Sequence, residues 1–166
     1  MSARVAPGSR SAGGTANVAT GLPVLDHLLG LLARSGRFEL ALELPPGDAE
    51  AEVADAGRAL GEAFVDALRA DDVAGHGSAF MPADEALAQV ALEVSDRPLL
   101  ASNVDLTEAR AGGLRSDLAA RFLESFTEAA GLTLHVRLID GQDSQHVLEA
   151  IFKALGVALA QASSRA

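Results

Sequence analysis

Apolar and polar positions alternate along this chain in two distinct periods, and the switches between them divide it into elements. Residues 37–44 place Phe38, Leu40, Leu42 and Leu44 on one face and Glu39 and Glu43 on the other, the signature of a half-buried strand. Residues 132–139 repeat it, with Leu132, Leu134, Val136 and Leu138 alternating with Thr133, His135 and Arg137. Ala86–Val94 predicts a further strand through Val90, Leu92 and Val94, and a short one follows near 99–105 after the turn Ser95-Asp96-Arg97-Pro98.

Helical spacing fills the intervals. Thr20 as N-cap, Pro23 in the first turn and Gly36 as the stop predict a helix over 23–35. A second runs near 50–69 with Val53, Leu60 and Phe64 inward. A third spans 114–130 on Leu118, Phe122 and Phe126, and Gly131 ends it. The last begins near Ser144 and carries Leu148, Ile151, Leu155 and Leu159. Pro45-Pro46-Gly47 breaks the first strand from its helix, and Gly75 and Gly77 mark a loop.

The order helix, strand, loop, helix occurs twice, which predicts two similar α+β units, each laying two helices on one face of a sheet. The expected division is a flexible tail over 1–19, a first repeat over 20–92 and a second over 93–166, packed as one compact unit. The shared Ala-Leu-Gly-x-Ala runs at 59–63 and 154–158 fix the register between them at 95 positions.

In that register the chemistry differs between halves. His146 falls on Ala51, Glu149 on Ala54 and Gln145 on Glu50. His146, Glu149 and Lys153 form one polar stripe on an otherwise apolar helix, and residues three apart lie about 5–6 Å apart at Cβ. An imidazole beside a carboxylate suits Mn, Fe or Zn. A His and a Glu at this spacing are also ordinary on a solvated helix face. His135 falls on the polar side of its strand, His27 between Asp26 and Leu28 in an apolar helix, and His76 between two glycines as a loop histidine. Arg97, Ser144 and Lys153 are candidate phosphate contacts, with the helix N-terminus behind Ser144 supplying N–H donors. Asp84 and Glu85 are candidate carboxylates at a strand start.

Composition narrows the class. The formal net charge of −10 argues against a nucleic-acid partner, which needs a basic face. No cysteine means no disulfide, thiolate metal site or cysteine nucleophile. No uncharged apolar run approaches the ~18 residues of a membrane helix, and residues 1–20 lack a signal-peptide core. Trp and Tyr are absent. The expectation is an acidic cytoplasmic protein with no membrane partner.

Several runs, in order, resemble the imidazoleglycerol-phosphate dehydratase family. They are Thr20-Gly21 with Leu25-Asp26-His27-Leu28-Leu29, Asp55-Ala56-Gly57-Arg58-Ala59-Leu60-Gly61, Pro82-Ala83-Asp84-Glu85-Ala86-Leu87, Ser95-Asp96-Arg97-Pro98, Gly112-Gly113-Leu114, Leu134-His135-Val136-Arg137-Leu138, and Ser144 to Leu155. The resemblance covers about residues 20–160. It implies a duplicated α+β fold of the ribosomal protein S5 domain 2-like type, and a homo-oligomer (trimer-based, or a 24-mer) with manganese sites between subunits. It further implies a carbon–oxygen lyase of histidine biosynthesis, a hydro-lyase that removes water from imidazole glycerol phosphate.

The family pattern has His-His-x-x-Glu in each half. This chain departs from it: Glu50-Ala51-x-x-Ala54 stands in the first half and Gln145-His146-x-x-Glu149 in the second. The resemblance leaves His27, His135, His146 and Glu149 as residual metal ligands, and Arg97, Ser144 and Lys153 on the phosphate. Ala51, Ala54, Gln145 and Glu50 mark lost ligand positions. The family's phosphate Arg before the loop glycine falls on Gly75, and its N-terminal catalytic Glu has no counterpart in residues 1–19. The expectation is a dehydratase-like pseudoenzyme, inactive or strongly impaired, in a homo-oligomer or a hetero-assembly with an intact dehydratase. The alternatives are a working lyase on one remaining Mn site, or a metal-free phosphate-ester binder.

Overall fold

The computed structural model describes residues 2–7, 14–45, 47–104, 110–111 and 114–166; Pro46 and the Gly112-Gly113 pair lie outside them. Along the chain come β1 (Ser2–Pro7), β2 (Thr15–Ala19), α1 (Pro23–Gly36), β3 (Phe38–Glu43), α2 (Ala49–Leu68), β4 (His76–Ala83), β5 (Ala86–Val94), β6 (Leu99–Ser102), β7 (Arg110–Ala111), β8 (Leu114–Arg115), α3 (Ser116–Ala130), β9 (Leu132–Asp140) and α4 (Ser144–Ala162). The fold is α+β, as expected.

Strand pairing shows the duplication directly. β3 pairs antiparallel with β1 and parallel with β2. β9 pairs antiparallel with β5 and parallel with β6. β4 adds an antiparallel edge beside β5, and β7 and β8 form a small separate ribbon.

Three expectations change. The stretch expected to be a tail carries β1 and β2. Its residues Ala3 and Val5 lie in register with Leu42 and Leu40 of β3, so their small side chains join the packed face. Alternation among Ala and Val is too faint to read as a strand. β4 replaces the expected loop for the same reason, since its buried positions are Gly77, Ala79 and Ala83. β5 serves β9 as β1 serves β3, which groups it with the second unit rather than with 20–92.

The ends of α1 also differ. Leu22 is the N-cap position and offers no side-chain bond. Thr20 instead ties the entry, its hydroxyl donating to Asp26 Oδ1 (2.6 Å) and accepting from the Leu22 N–H (3.1 Å). Gly36 lies inside the helix, and Arg37 takes the left-handed turn at φ 58°. A Cβ on Gly36 would sit 2.5 Å from the Gly156 carbonyl oxygen, so that glycine serves helix contact rather than termination.

Helices pack in pairs, α1 on α4 and α2 on α3. Five of the six phenylalanines run through this core in a chain: Phe38 to Phe64 (5.0 Å between centroids), Phe64 to Phe126 (5.8 Å), Phe126 to Phe122 (6.1 Å) and Phe122 to Phe152 (5.6 Å). Each aromatic pair adds roughly 0.5–1.5 kcal/mol beyond its buried area. The Phe64–Phe126 contact crosses from one unit to the other.

Candidate functional site at the start of helix α4

Asp143 starts α4. Its carboxylate accepts from the backbone N–H groups of Gln145 (2.9 Å) and His146 (3.1 Å), satisfying two of the donors every helix start leaves unpaired. Glu85, in the turn between β4 and β5, completes the cap from outside. Its Oε2 accepts from the N–H groups of Gln142 (3.0 Å) and Asp143 (3.1 Å).

Glu85 Oε1 then meets His146 Nδ1 at 2.5 Å, while His146 Nε2 lies 3.3 Å from Asp84 Oδ2. Backbone donation from Gln142, then Asp143, then the His146 ring lowers the Glu85 pKa from 4.5 to about 2. The bond from Glu85 raises the His146 pKa above its ordinary 6.5, with burial opposing. The imidazole thus lies between two carboxylates, each of which can accept from a ring N–H.

Glu149 faces the other way, toward α1. Its Oε2 accepts from His27 Nε2 (3.0 Å) and from the Gln145 amide nitrogen (3.3 Å). Lys153, two turns further along α4 than His146, donates from Nζ to the Pro82 carbonyl (2.6 Å). The polar stripe of α4 therefore spans two neighbours, α1 and the β4–β5 turn.

The remaining candidates lie elsewhere. His135 is exposed on β9 between buried Leu134 and Val136, hence on the face of the sheet away from α4. Its cross-strand partner is Ala91, and it borders a cavity of about 650 Å³ with His76, Ser78 and Glu93. His76 is the first residue of β4, not a loop histidine. Arg97 precedes β6, whose Leu99 pairs with Thr133. About 23 Å of strand separates Thr133 from Asp140 near the α4 start, so Arg97 and Ser144 occupy opposite ends of the sheet. Lys153 stands roughly 14 Å along the helix from Ser144. Within one chain the phosphate candidates do not converge.

Nor do the metal candidates. Only His27 and Glu149 touch, and among the described residues no three His, Asp or Glu side chains gather as a metal site. In the first unit, Asp48 caps α2 through the Ala51 N–H (2.9 Å), just as Asp143 caps α4, yet Ala51 and Ala54 offer only methyls and Glu50 is exposed. Sequence reading named Glu85 but missed its role, because β4 alternates too faintly to mark the hairpin turn that positions it.

The family model described as "Imidazoleglycerol-phosphate dehydratase" matches residues 20–159. The chain belongs to the imidazoleglycerol-phosphate dehydratase family. A Clostridium botulinum imidazoleglycerol-phosphate dehydratase is 39% identical over 154 residues, covering 90% of this chain and 78% of the relative. The Moorella thermoacetica one is 42% identical over 154 residues, with the same coverage. The crystal structure of imidazoleglycerol-phosphate dehydratase from Staphylococcus aureus superposes with a TM-score of 0.87 at 28% identity, over 98% of this chain and 92% of that one. IGPD from Pyrococcus furiosus gives 0.84 at 27%, over 99% and 89%. This dehydratase-family fold contains no helix, among the described residues, long and apolar enough to cross a membrane.

Proposed function

We propose that this chain keeps the imidazoleglycerol-phosphate dehydratase fold while its dehydration chemistry is lost or strongly impaired. In this reading it persists as a binding or assembly member of the family. One observation carries this reading. α2 and α4 start from equivalent caps, Asp48 and Asp143, and the turn that holds His146 and Glu149 in α4 holds Ala51 and Ala54 in α2.

The manganese pair implied by the family resemblance does not fit the donors present. Two positions are methyls. Gln145 is a neutral amide, whose nitrogen is a donor and whose oxygen is a weak ligand beside carboxylate. Glu149 already accepts two bonds, and His146 is held between Glu85 and Asp84. The chain's own groups bridge elements instead, His27 joining α1 to Glu149 of α4 and His146 joining α4 to the β4–β5 turn.

Separation of Arg97 and His135 from Ser144 and Lys153 supports an assembled state as the functional one. One copy's sheet end would have to meet another's α4 start for these groups to act together. The partner is a second copy or an intact dehydratase. A one-metal lyase is the second reading, favoured by the contact between His27 and Glu149 and by relatives named as dehydratases.

Turnover of imidazole glycerol phosphate by protein stripped and reloaded with manganese separates the two. The expected result is no product above background beside an active family control. Metal-dependent turnover overturns the proposal and establishes the lyase.

A further inference from the structure

His27 and Gln145 reach the same oxygen of Glu149 from two different helices. His27 comes from α1 across the helix interface at 3.0 Å, and Gln145 from one turn earlier on α4 at 3.3 Å. Glu149 is largely covered, with 17% of its side chain exposed, against 47% for His27. A carboxylate this covered needs donors or a cation to replace lost water. Gln145 is the residue at the lost ligand position, and a glutamine there presents two N–H donors on one nitrogen, with only a weak oxygen ligand in place of the imidazole nitrogen.

We propose that Gln145 replaces the metal ion as the second partner of Glu149, converting this half of the site into a metal-free clasp between α4 and α1. The inference rests on the reading of a disabled metal site and names what the surviving ligands do instead. An amide on the i, i+4 partner of a carboxylate supplies fixed donors on the same helix face. His27 adds the tertiary bond. Together they give Glu149 Oε2 two donors without an ion and tie the first unit to the second at the end of the helix pair.

The test compares melting temperature in the full-length protein with EDTA or with one to two equivalents of Mn²⁺. Parent protein is expected to melt at the same temperature in both. Gln145→Met keeps length and helix propensity and removes the donors. It is expected to lower the melting temperature by about 2–4 °C in both conditions, and to have little effect when Glu149→Gln is already present. Gln145→Met melting with the parent protein overturns the clasp and leaves the disabled-site reading standing. Stoichiometric Mn²⁺ binding with a raised melting temperature in the parent protein overturns both.

Discussion

Asp48 and Asp143 stand 95 positions apart and perform the same task, each closing the start of the second helix of its unit with a side-chain carboxylate. The duplicated frame thus survives at the cap itself, while a histidine and a glutamate one turn further on occur in only one copy. Asp143 binds two backbone N–H groups and Asp48 one, so the caps are not equal in weight. Replacing a good N-cap by alanine costs about 0.5–2 kcal/mol. Asp48→Ala is expected near the lower end and Asp143→Ala near the upper, measured by urea unfolding. Equal losses, or none, would contradict the reading of the caps.

The pair Glu85–His146 sets a pH window. A carboxylate whose folded pKa is lowered from 4.5 to about 2 contributes stability above pH 4.5 and loses it as pH falls toward 2. A histidine whose folded pKa is raised contributes fully below 6.5 and loses its contribution as pH climbs through the raised value. The pair is therefore strongest between about pH 4.5 and 6.5. His146→Asn is expected to flatten the decline in melting temperature above pH 6.5, and Glu85→Gln to flatten both limbs. An unchanged alkaline limb in His146→Asn would show that the histidine is not held by Glu85.

Lys153 illustrates how a residue chosen for chemistry can be held by structure. Its amine is bonded to the Pro82 carbonyl, joining α4 to the end of β4. Lys153→Met keeps the aliphatic stem and is expected to cost about 1 kcal/mol of stability with or without phosphate present. Millimolar inorganic phosphate is expected to leave the melting temperature of both proteins unchanged. Phosphate stabilisation of the parent protein alone would restore Lys153 as a phosphate ligand.

What the sequence made legible follows from how strongly each element is patterned. β3 and β9 bury Phe, Leu and Val on alternate positions and could be placed to within a residue or so. β1 and β2 half-bury only Ala3, Val5 and Val18, and β4 buries Gly and Ala, whose contrast with their neighbours is too weak for a period to emerge. Repeat register was also legible, because Ala-Leu-Gly-x-Ala marks a close helix contact in each unit, at Gly61 and Gly156. The site was legible as a set of residues and not as a geometry. His135 and His146 belong to opposite faces of one sheet, and only the strand order reveals it. Glu85 was visible as a charge, but its grip on the α4 start depends on a hairpin whose first strand was read as a loop.

The deepest constraint is the contact between α1 and α4, on which the His27–Glu149 pairing depends. Gly156 packs so closely on α1 that a Cβ there would overlap the Leu32 carbonyl oxygen, with the Leu32 carbonyl carbon at 3.0 Å and Cα at 3.1 Å. These are backbone atoms, which cannot rotate away as a side chain would. α1 must shift outward for any side chain at 156, and that shift would also pull His27 from Glu149. Overpacking of this kind costs typically about 1–3 kcal/mol. Gly156→Ala is expected to show at least that loss in urea unfolding, together with loss of the coupling between His27→Ala and Glu149→Ala in a double-mutant cycle. A Gly156→Ala protein as stable as its parent, with that coupling intact, would mean the helices do not approach as closely as the structure shows.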